Sequence, residues 1–122
     1  MKKVLVLLVV MIGSFVMLNE VNASEFKKFE GTWAYKVPSA PYEYNSGQLI
    51  INKVDGKEAV TVKFTDGTKV KAKNIKCNDG TISFGVYVEY EYVSVSCKLS
   101  NGKLTGKVDS PEGKMDLTAE KK

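Results

Sequence analysis

The sequence predicts a single all-β domain, an eight-stranded antiparallel up-and-down barrel, preceded by an export signal that is removed. From Gly31 onward, short segments alternate apolar and polar residues with the period of two that is typical of half-buried strands. Turn-forming pairs such as Asp55-Gly56 and Asn101-Gly102 separate these segments at near-regular intervals. No crossover helix is indicated between them, so we expect each strand to be antiparallel to the one before it.

Residues 1–23 have the three regions of a cleavable signal peptide. Two lysines supply the positive start, and residues 4–17 form an uncharged apolar run that is shorter than the roughly 20 residues of a membrane-spanning helix. Val21 and Ala23 suit the minus-three and minus-one positions of cleavage after Ala23. No cysteine follows the run, so no lipid-modified cysteine is expected. The prediction is export to the periplasm or the extracellular space without a stable membrane anchor; the alternative is an N-terminal anchor that is never cut.

Cleavage would leave about 100 residues, the size of one domain. Residues 24–30 form a short polar lead, and residues 31–122 form the barrel domain. The predicted strands are Gly31 to Val37, Gln48 to Val54, Glu58 to Phe64, Thr68 to Cys77, Thr81 to Val88, Tyr92 to Leu99, Lys103 to Val108 and Lys114 to Ala119.

Alternation within these strands predicts one apolar face that points into the barrel. The inward residues are Trp33, Tyr35, Val37, Leu49, Ile51, Val60, Val62, Phe64, Val70, Ala72, Ile82, Phe84, Val86, Val88, Val93, Val95, Leu104, Val108, Met115 and Leu117. In the fourth strand Ile75 and Cys77 are out of phase with Val70, which indicates a β-bulge near Lys73-Asn74.

A meander of eight strands with one apolar face closes naturally into a barrel, because closure removes the exposed sheet edges. A two-sheet β-sandwich is the structural alternative, but no connection of the Greek-key type is indicated. The connection at residues 38–47 is long and irregular. It would lie with the turns near residues 66, 90 and 112 at one end of the barrel, which is the candidate mouth.

Aromatic side chains near that end are the candidate ligand-binding residues, because a tyrosine combines an apolar ring with a hydroxyl group. Tyr42, Tyr44 and Tyr90 would stand at the entrance, while Tyr35 and Phe84 would point into the interior. The alternative is that the tyrosines only cover the barrel end. The inward aromatic residues could also fill an eight-stranded barrel completely, so a ligand-sized cavity and a solid interior are both compatible with the sequence.

The start of the first strand, Gly31-Thr32-Trp33, resembles the G-x-W signature of the lipocalins, β-barrels that carry small apolar molecules. The tail from Leu99 to Met115 also resembles small lipocalin-like secreted bacterial proteins. The resemblance implies that Trp33 lies at the closed end of the barrel under a basic side chain of the last strand, here Lys121. The chain is much shorter than a typical lipocalin and lacks that family's T-D-Y-type motif and C-terminal helix.

The composition argues against catalysis and against several kinds of partner. The chain has no histidine, the usual general base near neutral pH and the commonest nitrogen ligand of metals, so we expect no enzyme, metal or cofactor. The formal net charge is only +4, and all 18 basic residues are lysines spread along the strands rather than clustered. Nucleic-acid binding is therefore not expected.

Cys77 and Cys97 suit an oxidising compartment, where a disulfide between them would form if geometry permits. The predicted strands place them on either side of the fifth strand. Alternate strands of a sheet lie about 9.6 Å apart, beyond the reach of a disulfide unless curvature brings them closer. Two buried free thiols are the alternative.

Two functions remain open. One is a non-catalytic lipocalin-like protein that holds a small apolar or amphipathic ligand at the barrel mouth. The other is an interaction protein of the cell envelope with a filled interior. Small bacterial metalloprotease inhibitors are similar in size and plan, and Ser24 to Glu30 would then be the arm that reaches the target enzyme.

Overall fold

The computed structural model describes residues 22–122, so the predicted signal peptide lies outside the described residues except for its last two. No helix within that range is long and apolar enough to cross a membrane. The elements are helix α1 (Ala23–Phe29), a short 3₁₀ turn (Tyr42–Tyr44) and strands β1 (Gly31–Lys36), β2 (Ser46–Val54), β3 (Lys57–Phe64), β4 (Lys69–Lys71), β5 (Lys73–Asn78), β6 (Thr81–Val88), β7 (Glu91–Ser100), β8 (Lys103–Ser110) and β9 (Gly113–Lys121).

The nine strands form one antiparallel sheet in the order β4-β3-β2-β1-β9-β8-β7-β6-β5. The first and last strands pair with each other, and Trp33 lies opposite Leu49 on one side and Lys121 on the other. The sheet curls until β3 contacts β5 and β4 contacts β6, which makes a nearly closed barrel. The predicted up-and-down barrel is thereby confirmed, and the sandwich alternative is wrong.

The ninth strand arises because the predicted fourth strand is broken at Ala72 into β4 and β5. The register with β6 shifts between Lys73 and Lys76, and Asn74 has a φ of 56°, so the predicted bulge is present. The Asn74 side-chain N–H donates to the Tyr92 hydroxyl at 2.9 Å. Tyr92 lies over Gly85, where any Cβ would collide with its ring. This contact on the outer surface holds the bulge in place at the edge of the sheet.

The barrel interior contains every residue of the predicted inward face, which confirms the alternation. Five further residues are fully part of the core: Phe26, Phe29, Cys77, Cys97 and Ala119. Side chains at every second position of a strand point to the same side, and this alternation places the apolar residues inside the barrel. The core is therefore a single apolar interior with the lysines and threonines outside.

Helix α1 closes one end of the barrel. It overlaps the segment, residues 24–30, that was predicted to be a short polar lead. Asn22 caps its N-terminus, since its Oδ1 accepts the backbone N–H groups of Ser24 and Glu25 at 3.1 and 3.2 Å. Phe26 and Phe29 lie three positions apart on one face and are 0% and 1% exposed. The segment is thus a plug of the barrel end, called the closed end below.

Trp33 lies at the closed end beneath Lys121, as the lipocalin resemblance implies. Its indole N–H donates to the Phe29 carbonyl at 2.8 Å, which ties β1 to the helix. The Lys121 ammonium group lies 5.1 Å from the ring centroid, within the range of a cation–π contact. Gly31 has a φ of 137° and lies against the Lys121 side chain, so a larger residue there would be strained and would collide with the lysine.

Cys77 and Cys97 are buried free thiols, so the disulfide considered from the sequence is not formed. Both lie opposite Ile82 of β6, one on each side, and the intervening strand keeps them apart. Burial raises the pKa of Cys77 to about 11 and that of Cys97 to about 12. Neither thiol is a reactive thiolate near neutral pH.

Candidate binding cavity

The barrel interior is filled at the closed end and hollow at the other. The hollow end is formed by residues 38–45, 65–68, 89–90 and 111–112 and is called the mouth. The largest side chains that are less than 2% exposed all lie toward the closed end: Trp33, Phe26, Phe29, Ile51, Ile82, Leu104, Val60, Cys77 and Cys97. Toward the mouth, the barrel encloses a cavity of about 460 Å³.

Two features of the chain account for the division. Strand β6 carries Ile82 and Phe84 toward the closed end and then Val86 and Val88 toward the mouth. Valine is too short to fill the axis of a barrel of eight or more strands, whereas phenylalanine and tryptophan reach across it. Helix α1 adds Phe26 and Phe29 to the closed end only, so that end is filled while the mouthward half stays open.

The cavity wall is apolar over most of its area. Its apolar residues on the strands are Tyr35, Leu49, Val62, Phe64, Val86, Val88, Val93, Val95, Val108, Met115 and Leu117. Val37, Ala40, Pro41 and Tyr44 come from the connection that follows β1. The polar residues Ser39, Ser110, Glu89, Glu91 and Glu112 lie at the rim. The cavity reaches solvent between these rim residues, most of which are exposed.

The loop at residues 38–45 crosses the mouth and is held down by Tyr44. The Tyr44 ring packs edge-on against Phe64 with centroids 4.9 Å apart, and its backbone carbonyl accepts the Tyr35 hydroxyl at 3.1 Å. Its own hydroxyl donates to the Glu89 carboxylate in the turn on the far side. The loop and the β6–β7 turn are thereby linked above the cavity.

The hydrogen bond from Tyr44 to Glu89 disfavours ionisation of the Tyr44 hydroxyl. It is the largest cause that raises the pKa of Tyr44 to about 12. The negative charges of Glu43 and Asp66 raise it further. Tyr44 is therefore neutral at physiological pH and remains a hydrogen-bond donor, while the mouth around it is rich in carboxylates.

The turn that carries Glu89 is strained. Glu89 and Tyr90 have φ values of 52° and 71°, the left-handed region that hairpin turns usually fill with asparagine or glycine. This conformation costs about 1–2 kcal/mol for each residue with a larger side chain. The strained conformation places Glu89 at the cavity rim and leaves Tyr90 fully exposed.

Of the five residues predicted to bind a ligand, two lie on the cavity wall and three do not. Tyr35 and Tyr44 line the cavity. Phe84 is buried in the filled part of the barrel and is not part of the wall. Tyr42 and Tyr90 are 82% and 100% exposed and are not part of the wall either. Valine is the commonest residue of the wall, at seven of 20 positions, and the alternation predicted these valines only as core residues. Their clustering at the mouthward positions of β6 and β7 was the signal that could have identified them.

The hydroxyl groups and carboxylates of the cavity are paired with one another. The Tyr44 hydroxyl donates to the Glu89 carboxylate, and the Ser110 hydroxyl lies 3.3 Å from the Glu112 carboxylate. Among residues 22–122 no cluster of three or more cysteine, aspartate or glutamate side chains could hold a metal ion. The arrangement fits enclosure of an apolar molecule.

Comparison with known proteins shows the fold but not the family. No family profile matches the chain, and no curated protein matches it significantly. Among solved structures, the chain is similar to fatty-acid-binding protein 1 of Echinococcus granulosus, with a TM-score of 0.53, 14% identity, and coverage of 78% of this chain and 98% of that one. It is also similar to the wild-type fluorescent protein UnaG, with a TM-score of 0.50, 15% identity, and coverage of 79% and 98%. The chain therefore shares the β-barrel fold of these two proteins.

Proposed function

We propose that the protein is an exported, non-catalytic binding protein that holds a small apolar or amphipathic molecule in the mouth cavity. The observation that carries the proposal is the preformed cavity of about 460 Å³, whose wall is apolar over most of its area. Ligand pockets for small molecules typically measure about 300–1,000 Å³ and combine apolar walls with a few polar groups. The name of the similar fatty-acid-binding protein supports this kind of ligand.

Export is the second part of the proposal and rests on the signal-like pattern of residues 1–23. The interaction-protein alternative depended on a solid interior and on a free arm at residues 24–30. The mouthward half of the interior is hollow, and that segment is a helix with Phe26 and Phe29 buried. No observation favours that alternative.

Native mass spectrometry of the protein purified from its own host tests both parts. We expect the polypeptide mass to correspond to a chain that begins at Ser24. We also expect a discrete small mass bound to the folded chain, because an apolar cavity open to the envelope would fill with a matching ligand, and that mass should disappear after organic extraction. A chain that still contains residues 1–23 would contradict export. A chain without any small bound mass before extraction would contradict stable ligand carriage.

A further inference from the structure

The charges around the cavity determine which polar head group a bound amphiphile can have. Glu89, Glu91 and Glu112 lie on the wall, and no lysine does. The chain contains no arginine or histidine that could supply another positive charge. The rim is therefore negative although the protein as a whole is positive.

The lysines of the mouthward strand ends do not alter this, because they alternate with inward residues. Lys36 lies between Tyr35 and Val37, and Lys63 lies between Val62 and Phe64, so both point to the outer surface. Lys69 and Lys114 are exposed and precede the inward residues Val70 and Met115, so they also point outward. The two ion pairs within residues 22–122 join Lys103 to Glu120 and Lys107 to Asp116, both on the outside of β8 and β9. No rim glutamate is neutralised by either pair.

Three of the four hydroxyl groups of the wall are also committed to the protein, the exception being Ser39. The Tyr35 hydroxyl donates to the Tyr44 carbonyl, and the Tyr44 hydroxyl donates to Glu89. The Ser110 hydroxyl contacts the Gly113 carbonyl at 3.1 Å and the Glu112 carboxylate at 3.3 Å. The rim thus presents free acceptor oxygens and few free donors, while a carboxylate ligand needs donors or a cation.

We propose, on the basis of the proposed function, that the cavity selects amphiphiles whose polar end is cationic or a neutral hydrogen-bond donor, and that it discriminates against fatty-acid-like anions. The apolar part of such a ligand occupies the valine-lined cavity, and its polar end lies between Glu89, Glu91 and Glu112. The rim is solvent-exposed, so the selectivity is electrostatic and depends on salt.

Three amphiphiles with the same alkyl chain test the proposal: decyltrimethylammonium, decanol and decanoate. Each is titrated against the neutral fluorescent dye 1-N-phenylnaphthylamine bound to the protein. The two ionic amphiphiles are kept below their critical micelle concentrations, and decanol is kept below its solubility limit. At about 0.01 M ionic strength, where the Debye length is about 30 Å, we expect the cation to bind roughly tenfold more tightly than the anion. Decanol should lie between them, and the ratio should shrink at about 0.15 M salt.

The variant E91Q/E112Q should bring the ratio of cation to anion affinity toward one. The matched control is D55N/D79N, which removes two negative charges from turns at the closed end. Both control positions have positive φ values that asparagine tolerates, and the ratio should stay at its original value there.

The outcomes separate this proposal from the proposed function. Equal binding of all three amphiphiles, or tighter binding of decanoate, would overturn the head-group selectivity and leave an apolar binding cavity intact. An unchanged ratio in E91Q/E112Q would overturn the role of the rim glutamates. Failure of the dye and of all three amphiphiles to bind would overturn the proposed function, and the selectivity with it.

Discussion

Trp33→Ala is expected to lower the free energy of unfolding by about 3–5 kcal/mol, the usual cost of removing a large buried aromatic side chain. Trp33 is 1% exposed, and its indole N–H is bonded to the Phe29 carbonyl. Its loss would leave a void at the closed end, detach helix α1 from β1, and leave the Phe29 carbonyl without that partner. Urea unfolding followed by far-UV circular dichroism measures the change, since Trp33 is the only tryptophan available for fluorescence.

Val54→Ala is the matched control, because it also truncates an apolar side chain on a strand but at a position that is 54% exposed. It should change the free energy of unfolding by no more than about 0.5 kcal/mol. If Trp33→Ala does not fold, Trp33→Phe provides the smaller truncation and should still lose more stability than the control. A loss below about 1 kcal/mol for Trp33→Ala would show that the closed end is not the stabilising core of the barrel.

Val95→Trp is expected to weaken the binding of 1-N-phenylnaphthylamine at least tenfold, because the indole would occupy the volume that the ligand needs. Val95 lies on the cavity wall opposite Val108 of β8. The cavity of about 460 Å³ gives the larger side chain room, so the usual overpacking cost of about 1–3 kcal/mol should be largely avoided. Fluorescence titration measures the affinity, and urea unfolding measures the stability.

Val54→Trp adds the same side chain outside the barrel and should leave dye binding unchanged. Val108→Phe is a second, smaller filling variant that should weaken binding if Val95→Trp proves unstable. Unchanged dye affinity in a folded Val95→Trp protein would place the dye somewhere other than the cavity.

The barrel could be predicted because the sequence features that specify it are local. Alternation identifies the inward face of each strand, and pairs such as Asp55-Gly56 place the turns, independently of distant contacts. The bulge was visible for the same reason, since Ile75 falls out of phase with Val70. The break of the strand at Ala72 could not be predicted, because it depends on how the two edges of the closing sheet meet.

Helix α1 and the cavity wall were less accessible from the sequence. Phe26 and Phe29 are the only two large apolar residues in a seven-residue segment, and such a short helix is stable only through its packing on the barrel. The cavity depends on the volumes of side chains that meet across the barrel axis, which alternation does not reveal. Tyr42 and Tyr90 were chosen by residue type, but their positions in turns leave them in solvent, while valines such as Val86 form the wall.

Methyl NMR with decanol as the ligand is the measurement that tests the binding cavity most directly, because each half of the barrel serves as a control for the other. In protein with labelled valine, leucine and isoleucine methyl groups, saturable shifts are expected for Val86, Val95 and Leu117, which line the cavity. Ile82 and Leu104, packed in the closed end at 0% exposure, should remain unshifted. Shifts confined to surface methyl groups, or no saturable shift at any methyl group, would contradict a ligand-binding cavity at the mouth.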